Sequence, residues 1–397
     1  METTETVYHS NFKVGAYPFY KQLRSLEPIF PMSQTGEQTS WIVTKYDHVK
    51  ELLKSKSFIK DQSKFMEHSS SEEPDLITSV FQNMMLDVDP PDHTRLRKLV
   101  QPYFNPKKIK ELEPRISEIA DQLLADMSRK EGAIDLIEDF AFPLPIIVIS
   151  ELLGVPAEDR NKFRKWSHTI LSAADNLEAD FIQDTEDFLN YLKQLFDERK
   201  LNPQDDLISS LLQAEEEGDQ LNREELYSMI VLLIIAGHET TVNLIGNTML
   251  ALFENPEQLE KLQADLTFTD AAIEEGLRYY SPVDFSTARW AEADVDFHGR
   301  TIRRGDLVLA SLSSANRDED KFENAETFDI TRSQNPHIAF GYGIHFCLGA
   351  PLARLEGNVA IKKLLTTFPD IRLYDSHPRW QHVFLLRGLS ELKVAVG

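Results

Sequence analysis

The most extended apolar pattern in the chain lies between Asn222 and Pro256. Asn222 is a helix-capping residue, and Glu225 follows it at the spacing of a capping box. Apolar residues then fill most positions up to Asn255-Pro256, where we expect the helix to end. About 32 residues at ~1.5 Å each give a helix of roughly 48 Å. Because this helix is apolar on nearly all sides, the pattern predicts a buried element that crosses the whole domain.

Weaker patterns surround this helix. Trp41–Thr44 is typical of a strand, Tyr46–Leu53 of a helix, and Lys108–Leu212 has a mostly helical period. The segment Phe58–Met85 is polar and poorly periodic, which predicts a loop. A length of 397 residues alone favours two or three domains, but we find no internal repeat and no Gly/Ser linker.

The long helix is interrupted near its middle by the polar sequence Ala236-Gly-His-Glu-Thr-Thr241. Glycine, a charge and two β-branched hydroxyl residues are poor choices for a buried helix centre. Thr240 can bond back to the carbonyl group of Ala236, which would make it structural. Glu239 would still need a partner or water at that depth.

A second unusual segment, Phe340–Gly349, carries Cys347, the only cysteine of the chain. Gly341 and Gly343 predict a tight loop, and Pro351 predicts a helix start just after it. Three interpretations compete for the thiol. The first is a buried structural cysteine, and the second is a zinc ligand, although the chain has no second cysteine for such a site. The third is a thiolate that holds haem iron.

The motif Phe-x-x-Gly-x-His-x-Cys-x-Gly in this segment resembles the haem-thiolate signature of the cytochrome P450 family. Further motifs follow the family's order between residues 89 and 389, so the resemblance covers nearly the whole chain. It implies one P450 domain over residues 1–397, mainly α with a small β region. The long central helix would lie over the haem.

The resemblance also implies roles for individual residues. Cys347 would be the iron ligand of haem b, while Glu239 and Thr240 would deliver protons during oxygen activation. The remaining residues implied in haem binding are His93, Arg97, Ala236, Gly237, Arg289, Phe340, His345 and Gly349. Of these, His93 and Arg97 share one helix face and would reach the haem propionates together with Arg289 and His345. Glu275 and Arg278 match the pair that stabilises the fold in this family.

The composition restricts the partners. A net charge of −23 argues against nucleic acid and anionic membranes. The N-terminal residues lack the basic and apolar regions of a signal peptide, so we expect a cytoplasmic protein of the soluble bacterial type without a membrane anchor. With no flavin or iron–sulfur motif present, the resemblance implies an external ferredoxin or flavodoxin. Its predicted docking cations are Arg95, Lys98 and Arg354.

A lipophilic substrate follows from the apolar character of the expected cavity wall. Its candidate residues are Leu86, Leu232, Ile235, Phe285 and Leu385. The alternatives are a peroxide-dependent haem-thiolate oxygenase, a non-enzymatic haem sensor and a cysteine hydrolase with His345 as its base. The first typically lacks the Glu239–Thr240 pair and the second does not need it, so this pair favours the oxygen-activating enzyme.

Overall fold

The 32-residue helix Arg223–Glu254 lies at the centre of the fold, as its apolar sequence predicts. The structure is a computed structural model and describes residues 12–35, 38–65, 75–156, 159–172, 180–216, 221–375 and 377–396. The predicted capping box is present, because the Asn222 side chain accepts from the Glu225 N–H at 2.8 Å and the Glu225 carboxylate accepts from the Asn222 N–H at 2.9 Å. The helix is long and apolar enough to cross a membrane, but 78% of its most apolar window is buried inside the protein. It therefore packs as a core helix.

Most of the remaining structure is also helical. In chain order the described helices are α1 (Phe12–Leu26), α2 (Tyr46–Lys54), α3 (Leu76–Gln82), α4 (Asp92–Val100), α5 (Pro106–Glu111), α6 (Glu113–Met127), α7 (Pro143–Leu153), α8 (Arg160–Ser172), α9 (Phe181–Leu201), α10 (Leu207–Glu216), the central α11 (Arg223–Glu254), α12 (Pro256–Ala264), α13 (Thr269–Tyr279), α14 (Leu312–Ala315) and α15 (Ala350–Thr367). Short 3-10 turns cover Gln62–Phe65, Gln101–Phe104, Leu266–Phe268 and Gly343–His345, and a π turn covers Ile137–Ala141.

The strands are short and form four small sheets. They are β1 (Ile29–Thr35), β2 (Gln38–Val43), β3 (Phe58–Ile59), β4 (Ile134–Asp135), β5 (Arg289–Ala291), β6 (Val295–Phe297), β7 (Arg300–Ile302), β8 (Leu307–Ala310), β9 (Arg372–Leu373), β10 (Arg379–Trp380), β11 (Leu389–Glu391) and β12 (Lys393–Ala395). The largest sheet has the order β1-β2-β8-β5-β3, and its β2 and β8 are parallel. The others pair β4-β12-β9, β10-β11 and β6-β7.

Three hydrophobic clusters hold these elements together. The largest surrounds α11, which packs against α7, α13 and α15. A second joins the five-stranded sheet to α2. The third places α1 against residues that follow α13, with Phe12, Tyr20 and Phe285 among its members. The long helix and the cysteine loop are thus fixed relative to each other mainly through α13 and α15.

The segment Phe58–Met85, predicted as a loop, is more structured than its polar sequence indicates. Phe58 pairs with Ala291 to form the edge of the largest sheet, and α3 follows with Val80 buried. Ser228 Oγ in α11 donates to the Val80 carbonyl at 2.7 Å. The loop prediction was wrong here because distant partners, rather than local periodicity, order these residues. Residues 66–74 of the segment lie outside the described ranges.

Candidate active site

The cysteine loop has the tight geometry that its glycines predict. Gly341 and Gly343 have φ values of 72° and 81°, in the left-handed region that glycine adopts without strain. A Cβ on Gly343 would lie 2.9 Å from the Leu53 carbonyl oxygen of α2, so the loop passes too close for a larger residue. The Cys347 N–H donates to the Phe340 carbonyl at 2.9 Å. This bond closes the loop immediately before α15.

The Cys347 thiol faces backbone donors at the start of α15. Burial raises the pKa of the thiol, while the N–H groups of Gly349 and Ala350 and the Arg97 guanidinium oppose that rise. The first N–H groups of a helix have no intrahelical partner and are therefore free to face the sulfur. In the described ranges no group of three or more His, Cys, Asp or Glu side chains is arranged to hold a metal ion. The zinc interpretation therefore gains no support.

Next to the cysteine loop lies a buried group of nitrogen donors without acceptors. The His93 and His345 rings are 4.2 Å apart between centroids. In the described part of the chain their ring nitrogens and Arg289 Nε are buried and have no hydrogen-bond partner. Arg97 Nη2 donates to the Phe346 carbonyl at 2.7 Å, which places its positive charge beside the same loop. The structure thus brings together all four predicted propionate ligands.

Lys60 is buried next to this group, although it has acceptors of its own, and was missed in the sequence. Its Nζ donates to Thr287 Oγ1 at 2.5 Å and to the Ala288 carbonyl at 2.7 Å. Burial lowers the pKa of Lys60 to about 7, and the nearby Arg289 charge lowers it further while Asp87 opposes the change. The pKa of His345 falls to about 2 because it is buried and surrounded by Lys60, His93, Arg289 and Arg97. A group of buried donors with this excess of positive charge matches a dianionic ligand.

The middle of α11 opens at the predicted polar interruption. Ala236 is exposed although the residues before it are buried. Thr240 Oγ1 donates to the Ala236 carbonyl at 3.0 Å, so the predicted back-bond is present. Glu239 is 14% exposed, and its Oε1 accepts from Gln381 Nε2 at 3.1 Å. This arrangement provides the partner that a carboxylate requires at this depth.

Gly237 packs closely against α7, and its implied place in the haem site stays a prediction. A Cβ at Gly237 would lie 2.9 Å from Ile149 Cγ1 of α7, so packing between α7 and α11 already explains the glycine. The side on which the helix is open belongs to Ala236.

The match with known proteins is extensive. The family model described as "Cytochrome P450" matches residues 18–370. The chain belongs to the cytochrome P450 family. A P450 of Bacillus subtilis (strain 168) is 46% identical over 392 residues, which cover 97% of this chain and 95% of the relative. The "Vitamin D(3) 25-hydroxylase" of Pseudonocardia autotrophica is 41% identical over 407 residues, which cover 100% of this chain and 98% of the relative.

The fold agrees with this assignment. The solved structure of the Bacillus subtilis 168 bacillaene polyketide synthase P450 PksS has a TM-score of 0.90 and 42% sequence identity. The match covers 98% of this chain and 99% of that chain. The chain is therefore a mainly α P450 monooxygenase with a small β region, as predicted.

A P450 implies a haem-thiolate cofactor. The residues present fit this group on two counts. The buried, unpartnered nitrogens of His93, His345 and Arg289 match the carboxylates at a porphyrin edge. A Cβ at Gly349 would meet nothing within 4 Å, so the protein's own packing leaves room beside the cysteine.

The five predicted substrate-wall residues separate into two groups. Leu86, Leu232 and Ile235 belong to the cluster around α11. Phe285 and Leu385 belong instead to the cluster that α1 forms with the C-terminal region. The Phe285 ring stacks on Phe384 at 4.8 Å between centroids and is 1% exposed. Its isolated bridge to Ser311 fixes this orientation, which the sequence could not reveal.

Two of the three predicted docking cations are neutralised by carboxylates. Arg95 bonds Glu225 at 2.5 Å and Asp92 at 2.8 Å. Arg354 bonds Glu274 at 2.6 and 3.0 Å and also lies 4.5 Å above the centre of the Phe340 ring. Carboxylates on other helices, Glu225 and Glu274, thus engage both arginines, and their role in docking stays a prediction. Lys98 is exposed on α4.

Proposed function

We propose that the chain is a haem-thiolate monooxygenase that inserts one oxygen atom of O2 into a lipophilic small molecule by hydroxylation or epoxidation. We further propose that it works as a single P450 domain in the cytoplasm, with electrons from an external ferredoxin or flavodoxin. The observation that carries the proposal is the cysteine loop, because Cys347 lies beside a buried group of donors that lack acceptors.

In this proposal Cys347 holds the iron of haem b, with donors from the start of α15 directed at its sulfur. His93, Arg97, Arg289 and His345 bind the two propionates. Lys60 adds a further positive charge to that edge. A haem held there would supply the chemistry of the proposal, the reductive activation of dioxygen and the transfer of one oxygen atom to the substrate. Phe340 begins the loop with its ring beneath Arg354, and Gly349 leaves space next to the sulfur.

The residues of α11 supply protons. Thr240 Oγ1 is both a donor and an acceptor, so it can turn from the Ala236 carbonyl to orient a water or an oxygen atom in the cavity. Glu239 lies between that cavity and Gln381, and its carboxyl group can pass protons from water to Thr240. Ala236 keeps the cavity side of the helix free of a long side chain.

In this proposal the substrate wall is apolar. Leu86, Leu232 and Ile235 of the cluster around α11 form it, and Leu385 of the cluster with α1 borders it. Two relatives support a lipophilic substrate through their names, since one is a vitamin D3 hydroxylase and the other belongs to polyketide biosynthesis.

The redox partner is proposed to dock where the cysteine loop meets α2. Lys50 and Lys54 lie with Nζ atoms 4.7 and 5.7 Å from the Tyr342 ring centre. In the described part of the chain neither lysine forms a salt bridge, which distinguishes them from Arg95 and Arg354. Ile344, in the same loop, is 52% exposed. Glu51 lies between the two lysines in α2 and contacts His298 Nε2 at 2.9 Å, so the two lysines leave this surface with a net positive charge. Such a surface suits an acidic partner although the whole chain is acidic.

The test is reconstitution with a ferredoxin and its reductase under labelled dioxygen, with substrates found by spectral titration against a lipophilic library. The proposal predicts product that carries one labelled oxygen atom and depends on the reductant. Product formed only with added peroxide would favour the peroxide-dependent oxygenase. A protein that binds haem but consumes neither reductant nor oxygen with any bound ligand would favour the haem sensor.

A further inference from the structure

His238 and Glu239 are neighbours in α11 whose side chains approach each other. Successive residues of an α-helix project about 100° apart and do not normally face one another. Here His238 Nε2 lies 3.7 Å from Glu239 Oε2. His238 is buried, whereas Glu239 is partly exposed to solvent and bonds Gln381. The two side chains therefore connect the buried side of α11 with its partly exposed polar side.

The hydrogen bond on the other side of the ring fixes the imidazole tautomer. His238 Nδ1 lies 2.7 Å from the Ile234 carbonyl oxygen. A carbonyl group only accepts, so Nδ1 must carry a hydrogen. In the neutral ring Nε2 then has a lone pair that faces the Glu239 carboxylate. Two acceptors repel each other, and a proton on Nε2 replaces that repulsion with an ion pair across the 3.7 Å to Oε2.

In the described part of the chain no hydrogen-bond donor contacts His238 Nε2. The Phe142 ring contacts the imidazole edge-on, with centroids 5.7 Å apart and an interplanar angle of 89°. Arg164 of α8 lies 4.2 Å above Phe142 and forms an ion pair with Glu138. Burial lowers the pKa of His238, Glu239 raises it, and the charge of Arg164 lowers it. The carboxylates of Glu138, Glu239 and Asp135 act in turn on Arg164.

We propose that His238 is a positioning residue that takes up a proton at Nε2 and then forms an ion pair with Glu239, so that the two residues form a proton-storing pair beside the cavity. This rests on the proposed role of Glu239 as proton donor. Delivery breaks the bond between that proton and Nε2, passes the proton by way of Glu239 to an acceptor in the cavity, and leaves neutral His238 beside an ionised carboxylate. A proton from solvent then bonds to Nε2 and restores the pair. Nδ1 keeps its hydrogen throughout, because the Ile234 carbonyl holds it.

Nitrogen NMR tests the pair without any turnover. Haem-loaded protein with 15N-labelled histidine is reduced, bound to carbon monoxide and titrated with acid and base, and His238→Gln identifies the signals of His238. We expect a neutral ring with hydrogen on Nδ1, and a titration that moves to lower pH in Glu239→Gln because the carboxylate charge is lost. Hydrogen on Nε2 of the neutral ring, or a titration unaffected by Glu239→Gln, would overturn the proposal. The NMR titration does not depend on turnover. The proposed monooxygenase function and the proposed His238–Glu239 pair can therefore be contradicted independently.

Product formation gives the second readout. The glutamine of His238→Gln can donate an N–H to Glu239 but cannot take up a proton, whereas leucine in His238→Leu can do neither. We expect both variants to lose about tenfold or more of the product rate and to lose the wild-type fall in rate as pH rises through the NMR titration. Substrate affinity by spectral titration and the thermal midpoint should stay close to wild type in His238→Gln. His168→Gln, at an exposed histidine of α8, is the matched control and should change neither the rate nor its pH profile. An unchanged pH profile in His238→Gln would contradict the proton-storing pair.

Discussion

The strongest stability prediction concerns the buried ion pair between Glu275 and Arg278 of α13. Both side chains are essentially inaccessible, at 1% and 0% exposure. Arg278 donates twice to Glu275, at 2.8 Å each. Its other hydrogens bond the carbonyl groups of Asn316, Ala325 and Thr327 at 3.1, 2.7 and 2.8 Å. The guanidinium therefore ties α13 to the segment that leads toward the cysteine loop.

Glu275→Gln nearly preserves the side-chain volume and removes only the negative charge. The positive charge of Arg278 then stays buried without compensation, which costs about 3–5 kcal/mol in comparable pairs. Glu275 also accepts from the Asp329 N–H at 2.9 Å and from Asn335 Nδ2 at 3.1 Å, and both bonds weaken with a neutral acceptor. Against a typical total stability of about 5–15 kcal/mol, this loss is large.

Urea unfolding of the haem-loaded protein, followed by tryptophan fluorescence, measures the effect. At a slope of about 3 kcal/mol per M the midpoint should fall by roughly 1 M or more. Glu151→Gln is the matched control, because Glu151 also binds an arginine twice, Arg115 at 3.0 and 2.7 Å, but the two side chains are 36% and 45% exposed. An exposed pair contributes about 0–1 kcal/mol, so the control should shift little. Equal shifts in the two variants would refute the argument that burial makes the pair strong.

Three further predictions address the site. Thr240→Ala should keep haem and still consume oxygen and reductant, but should release peroxide and form at least about tenfold less product. If the variant formed as much product per reductant consumed as the wild type, the threonine would only bond back to its helix. Lys50→Glu and Lys54→Glu should raise the apparent KM for an acidic redox partner in a salt-dependent manner, whereas Lys193→Glu, at an exposed position of α9, should not. Equal KM values in all three variants would contradict the proposed docking surface. Lys60→Met should speed haem transfer to apomyoglobin by about tenfold or more, because one charged donor near the propionates is lost. An unchanged transfer rate would exclude Lys60 from this anion site, the buried donors around His93, His345 and Arg289.

Local signals in the sequence identified the main elements correctly. The capping box at Asn222 and Glu225 marks the start of α11, because its two hydrogen bonds involve residues only three apart. The cysteine loop was equally predictable, since Gly341 and Gly343 supply the backbone angles that a tight turn needs. In both cases the information lies within a few residues of the feature itself.

Features that depend on distant partners were not predictable. Lys60 joins the anion site through Thr287 and Ala288, more than two hundred residues away, once β3 has paired with β5. Arg95 looks like a free surface cation until the fold brings Glu225 to it. Phe285 faces α1 because its bridge to Ser311 sets its direction. Each depends on a register or a helix contact that no local pattern reveals.

The central claim, that the Cys347 thiolate holds the haem iron, is tested most directly by the absorption spectrum of the reduced protein with carbon monoxide. Thiolate ligation predicts a strongly red-shifted Soret band, and Cys347→His should lose that shift while the donors His93, Arg289 and His345 still retain haem. Cys347 is the only cysteine of the chain, so no other thiolate in the protein can substitute for it. A red-shifted band that survives in Cys347→His, or a wild-type spectrum without the shift, would contradict the account.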